Sequence, residues 1–216
     1  MNGPTARYGL KMSVNQFGHP VAPDFYDDSE ILAINHLERI ALGLKASGAP
    51  RCTMMELGSN QAYFSLLFKG ILGDPVAVNY LVEPFDEYMP RGQNPFALNG
   101  FTGFWINESI GSSWVMREDI SFGKKVTSIG EILAEHGEDG LDVLHCDIDG
   151  SEMTALETSA KLFDEKKVRW VIVSTHSDDL YSRCRDFLAS RGYVAEELHP
   201  TMDVGFDGLL VFHSGV

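Results

Sequence analysis

The 216-residue chain carries 17 lysines and arginines against 31 aspartates and glutamates, a net charge of −14, with 44% apolar and 22% charged residues. A surface so acidic repels phosphate backbones, so no nucleic-acid substrate is expected, while the apolar content is that of an ordinary globular core. The length suits one sizeable α/β domain, and the sequence shows neither an apolar run of membrane-spanning length nor a signal-peptide core.

Residues 1–28 mix Gly, Pro and aromatics (Tyr8, Phe17, Phe25, Tyr26) without periodicity. They read either as a partly ordered arm or as a lid folding over the mouth of a site, and residues 29–216 read as one domain. From Ser29 an apolar stripe through Leu32, Leu37, Ile40 and Leu44 predicts a helix closed by Gly48 and Pro50. Residues 52–55 are short and apolar enough for one buried strand, and residues 63–68 are so densely apolar that they suit a helix packed on a sheet. Between them lie Glu56, Gly58, Ser59 and Asn60: an acid at a strand's carboxyl end, one small turn residue and two helix-capping types. In a strand, Gly turn and helix start, backbone N–H groups and the positive end of the helix dipole face a ligand. Glu56 adds a group for a cationic or hydroxyl-bearing one.

Residues 76–82 predict a second strand ending at Glu83, which Pro84 holds extended. Glu83 follows Gly58 by 25 residues, close to the offset of the ribose-binding acid in nucleotide-binding α/β domains, and its two carboxylate oxygens suit a vicinal diol. Pro90 and Pro95 predict a broken helix at best. Residues 101–107 predict a third strand, with Glu108, Ser109 and Gly111 in the turn beyond it. Residues 112–127 leave room for one or two short strands, and Ser128 caps a helix to about His136.

A fourth strand, residues 141–146, carries His145 and Cys146 as core. Cys52, Cys146 and Cys184 are odd in number and widely spaced, which points to reduced structural thiols in a cytoplasmic protein. The strand ends at Asp147, in the place where open α/β sheets bind ligands; a carboxylate there could hold a cationic group, act as a base or ligate a metal. Asp149, three residues before Glu152, resembles a capping box for the next helix, 151–163. A fifth strand, 168–173, ends near His176, which could approach Asp147 and is either structural or catalytic. His36, His136, His199 and His213 carry no signal. A helix over 178–190 follows, then strands 193–198 and 208–212 with no helix between them. This order means a doubly wound α/β sheet, mostly parallel, with an antiparallel C-terminal hairpin strand.

Glu56-x-Gly58-x-Asn60, Glu83-Pro84, Asp147-Ile-Asp-Gly-Ser-Glu152 and the final hairpin, taken in order, resemble the FkbM family of S-adenosylmethionine-dependent methyltransferases over roughly residues 52–213. The resemblance implies the class I methyltransferase (Rossmann-like) fold with strand order 3-2-1-4-5-7-6. It also implies S-adenosylmethionine as cofactor and O-methylation of a small-molecule hydroxyl, as on a sugar or polyketide. The implied cofactor-binding residues are Glu56, Gly58, Ser59, Asn60, Tyr63 and Ser65 at the first turn, Glu83 at the ribose, and Asp147; Glu108 and Ser109 lie, by position alone, where the adenine would sit. Ala62 stands where the family usually has glycine, and Asp149 and Ser151 are conservative departures in the fourth motif.

For the chemistry, His176 is expected to accept the hydroxyl proton with Asp147 orienting it or the cofactor. A divalent metal on Asp147 and Asp149 is the competing mechanism. The acceptor pocket is expected from the N-terminal arm and residues 86–96 and 111–127; a homo-oligomer is compatible with everything above. An NAD-dependent oxidoreductase is disfavoured because Gly-x-Gly-x-x-Gly is missing, and intact acids at the strand ends speak against a non-catalytic nucleotide-binding module.

Overall fold

The computed structural model describes residues 8–12, 28–111, 124–200 and 207–215. In chain order the elements are α1 (Asp28–Ser47), β1 (Cys52–Leu57), α2 (Tyr63–Leu72), β2 (Ala77–Val82), α3 (Met89–Asn99), β3 (Phe104–Ile106), β4 (Ser109–Ile110), β5 (Val126–Thr127), α4 (Ile129–Glu135) and β6 (Leu141–Cys146). Then come α5 (Glu152–Thr158), α6 (Ala160–Asp164), β7 (Val168–Thr175), α7 (Asp178–Ser190), β8 (Val194–His199) and β9 (Gly208–His213).

Seven strands form one sheet in the order β3-β2-β1-β6-β7-β9-β8, and β4 and β5 make a separate parallel pair. Numbered within the large sheet alone, this is 3-2-1-4-5-7-6. Its neighbours are parallel except at β9, which runs antiparallel to both β7 and β8. The sheet is therefore the mostly parallel, doubly wound one with an antiparallel C-terminal hairpin that the sequence implies. β1 is buried at all six positions, as a parallel strand covered on both faces must be. One face packs on α1 and α2 through Leu37, Phe68, Met54, Val143 and Ile172. The other packs on α4, α5, α6 and α7 through Leu133, Leu156, Phe163, Leu188 and Val171. All three cysteines are buried free thiols, and no described helix is long and apolar enough to cross a membrane.

Local chemistry explains where the elements start and stop. Ser128 and Glu131 form a reciprocal capping box at α4, and the Ser177 hydroxyl accepts the Leu180 N–H at the start of α7. The two prolines do not break α3. Pro90 lies in the first turn, where its missing N–H would have no partner anyway. Pro95 is accommodated inside the helix, and the Asn99 amide donates to its carbonyl at 2.8 Å. The expected single helix 151–163 instead divides at Ser159 into α5 and α6. In the expected arm, the Tyr8 hydroxyl donates to Glu38 at 2.6 Å; residues 1–7 and 13–27, and with them the lid reading, lie outside the described residues.

The junction of β1 and β6 is the tightest point near the strand ends. Gly58 has φ +76°, and a Cβ there would lie 1.8 Å from the Asp147 carbonyl oxygen. Gly43, inside α1, has nothing among the described residues within 4 Å of the same position. Gly58→Ala is expected to destabilise the fold by about 3 kcal/mol or more, whereas Gly43→Ala should stabilise it by up to about 1 kcal/mol. Chemical denaturation of both variants checks this, and equal stability would contradict it.

Candidate active site

A cavity of about 550 Å³ opens at the carboxyl ends of β2, β1, β6 and β7. Glu56 is the last residue but one of β1 and is only 2% exposed; its Oε2 accepts the Ser65 N–H at 2.9 Å. Burial raises its pKa to about 7, against the opposing hydrogen bonds from Ser65. Glu83 follows β2 and is 3% exposed. Its two oxygens accept the Asn60 and Phe85 N–H groups at 3.0 Å each, and burial again raises its pKa. The connecting turn is bent sharply, with Asn60 at φ 37° and Ala62 at φ 55°. Ala62 thus occupies a left-handed conformation that a glycine would take without strain. Beyond Glu83 the wall is aromatic, with the Phe85 and Tyr88 rings 5.3 Å apart.

At the β6 and β7 ends one imidazole gathers several acids. His176 Nε2 lies 3.3 Å from Asp147, 3.4 Å from Asp149 and 3.6 Å from Asp207. Its Nδ1 lies 2.6 Å from Glu152, a fully buried carboxylate whose two oxygens also accept the Gly150 N–H at 3.1 Å. The hydrogen bond to Glu152, helped by the surrounding carboxylates, raises the His176 pKa to about 9 despite partial burial. Asp147 is pushed up to about 7 by burial, with His176 acting the other way.

Most of the expected cofactor residues, Glu56, Gly58, Ser59, Asn60, Tyr63, Glu83 and Asp147, border this one cavity, as does His176. The structure places the others differently. Ser65 stands behind Glu56, holding it through its backbone N–H rather than facing the cavity. Glu108 pairs with Lys125 at 2.9 Å, and Ser109 is buried in the β4–β5 ladder; neither borders the cavity, and Phe85 and Tyr88 occupy the place beside Glu83 instead. Asp149 does not cap α5: with φ 53° its side chain turns out to solvent, 95% exposed, and Ser151 is the capping position. Of the expected acceptor segments, residues 89–99 form α3 and residues 112–123 lie outside the described residues.

Among the acids and histidines of the cavity, three carried no functional signal in the sequence: Glu30 on α1, Asp207 before β9, and His145. His145 pairs in register with Glu56 across β1 and β6, and its ring stacks on Phe64 with centroids 3.7 Å apart. Burial lowers its pKa to about 3. Neither ring nitrogen has a partner among the described residues, and the same holds for the Ser59 hydroxyl nearby in the cavity wall. Buried acids, orphaned donors and a bend without side-chain bulk together fit a nucleoside bearing a diol and a cationic tail.

The methyltransferase FkbM domain model matches residues 48–195. The chain belongs to the FkbM methyltransferase family. Solved structures agree on the fold. Methyltransferase FkbM from Methylobacillus flagellatus KT superposes with a TM-score of 0.58 at 17% identity, covering 85% of this chain and 59% of that one. The METTL16 MTase domain gives 0.60 at 12% identity over 98% and 76% of the two chains. M. capricolum TrmK, in complex with S-adenosyl-homocysteine, gives 0.53 at 14% identity over 83% and 68%. No curated protein matches the chain. The protein is an S-adenosylmethionine-dependent methyltransferase of class I architecture, and its cofactor is S-adenosylmethionine.

The raised pKa of Glu56 gives cofactor binding a definite pH dependence. Glu56 loses its proton as pH rises through about 7, so the negative charge that attracts an ammonium group is present above that value and lost below it. Affinity for S-adenosylhomocysteine is expected to rise between pH 6 and pH 8. Calorimetry at pH 7 in buffers of different ionisation enthalpy should show proton release on binding; proton uptake would contradict it.

Proposed function

We propose that this FkbM-family enzyme methylates a hydroxyl group of an uncharged or cationic small molecule, such as a sugar or polyketide. The supporting observation is the charge of the cavity. Six carboxylates border it, from Glu30, Glu56, Glu83, Asp147, Asp149 and Asp207, and among the described lining residues there is no lysine or arginine. A phosphorylated or carboxylated acceptor would enter a site of its own sign. The net charge of −14 argues the same way against nucleic acid.

S-adenosylmethionine, when bound, supplies a methyl group made electrophilic by its sulfonium. What remains for the chain is to hold the two reactants in line and to take the hydroxyl proton. His176, expected from the sequence to be the base, already holds a proton at neutral pH in this arrangement. The accepting role therefore suits Asp147, whose pKa of about 7 matches the working range. His176 becomes a positioning residue, pinned by Glu152 and facing Asp147 through Nε2.

A divalent cation is the second reading, favoured by one observation. Ligand atoms of Asp147, His176 and Asp207 all lie within 4.8 Å of one another, and Glu152 backs His176 as carboxylates back metal-bound imidazoles. Those three would hold the ion, and the chemistry it would supply is polarisation of the acceptor oxygen.

A panel of hydroxylated acceptors, incubated with methyl-labelled cofactor, tests the acceptor class. Label is expected in uncharged or amino-bearing compounds, and transfer only to phosphorylated or carboxylated ones would overturn the proposal. On the acceptor found, Asp147→Asn should lower kcat by about 100-fold or more. Activity that survives chelator treatment and desalting supports the carboxylate base. Loss that magnesium or manganese restores supports the metal.

A further inference from the structure

We propose that His145 holds the carboxylate of the cofactor's amino-acid end, making it a positioning residue that the sequence hides inside a buried strand. The inference rests on the cofactor being S-adenosylmethionine. Along the strand ends, the cavity residues run from Glu83 after β2, through Glu56 on β1, to His145 and Asp147 at β6. With Glu83 taking the ribose diol, the amino-acid end reaches β6, two strand spacings or roughly 10 Å away. That end is a zwitterion. Its ammonium has the carboxylate of Glu56 at hand, but its carboxylate needs a donor.

Cationic donors are scarce in this part of the cavity, where the Ser59 hydroxyl is a neutral one without a partner among the described residues. His176, the cationic ring, is engaged by Glu152 and faces three further acids. No lysine or arginine borders the cavity among the described residues. His145 is 2% exposed, lines the cavity, sits level with Glu56 in the β1–β6 register, and leaves both ring nitrogens without a partner among the described residues. Whatever its protonation state, an imidazole carries at least one N–H. Stacking on Phe64 explains how the ring packs, yet a phenylalanine would pack there as well and leave no buried donor unpaired, which is costly. The orphaned nitrogens are accounted for when a ligand oxygen meets one of them.

The test compares two ligands that differ by that single group. S-adenosylhomocysteine and its decarboxylated analogue, which keeps the ammonium, are titrated by calorimetry into wild type, His145→Phe and His145→Leu. Wild type should prefer the carboxylated ligand by about tenfold or more, the size of a hydrogen bond to a charged group. Either variant should lose most of that preference while its affinity for the analogue changes by less than about threefold. The preference is a ratio within one protein, so partial unfolding cancels from it, and whichever variant melts cooperatively decides the outcome. An unchanged preference in that variant overturns the role of His145. Failure of wild type to bind either ligand would instead overturn the cofactor assignment itself.

Discussion

The site exists because two strand ends touch where no side chain intervenes. Gly58 brings the turn after β1 so close to β6 that the Asp147 carbonyl occupies the space a Cβ would need. The Asp147 N–H donates to the Leu57 carbonyl at 3.0 Å, and the Gly58 and Ser59 N–H groups both donate to Val82 at the same distance. Three neighbouring strands are thereby tied together at their carboxyl ends. Glu56, Glu83 and Asp147, far apart in the chain, become one continuous wall.

That wall is built against the grain of protein interiors. Carboxylates are expensive to bury, and each of these three has its pKa raised chiefly by burial. Backbone N–H groups from Ser65, Asn60 and Phe85 offset part of the cost at Glu56 and Glu83. At Asp147 the compensation comes from His176, itself held by the buried Glu152. Such a site favours a cation and disfavours an anion before any specific contact forms. A sulfonium nucleoside meets the first condition, and an uncharged acceptor avoids the second.

The mostly parallel, doubly wound sheet and most of the cavity were legible in the sequence because their signals are local, while the strand order came with the resemblance to the FkbM family. A Gly bend between an apolar strand and an apolar helix, an acid before a proline, and an acid closing a fourth strand each announce themselves within a few residues. What was missed depends on contacts between distant segments or on a single backbone angle. His145 looks like core because its alternation is that of core, and only the third dimension shows its nitrogens without a partner among the described residues. Asp207 and Glu30 reach the cavity from segments with no motif. Asp149 reads as a cap until the left-handed turn at Asp149 and Gly150 is known, and Glu108 is drawn away by Lys125. Pro95 would end most helices, yet α3 continues through it.

The most direct measurement is a crystal structure of the full chain with S-adenosylhomocysteine. The expected result has the nucleoside lying along the strand ends, its ribose hydroxyls on the Glu83 carboxylate and its amino-acid end between Glu56, Asp147 and His145. A nucleoside bound elsewhere, or one lying in the cavity with Glu83 untouched, would contradict the view that this row of buried acids is the cofactor's seat.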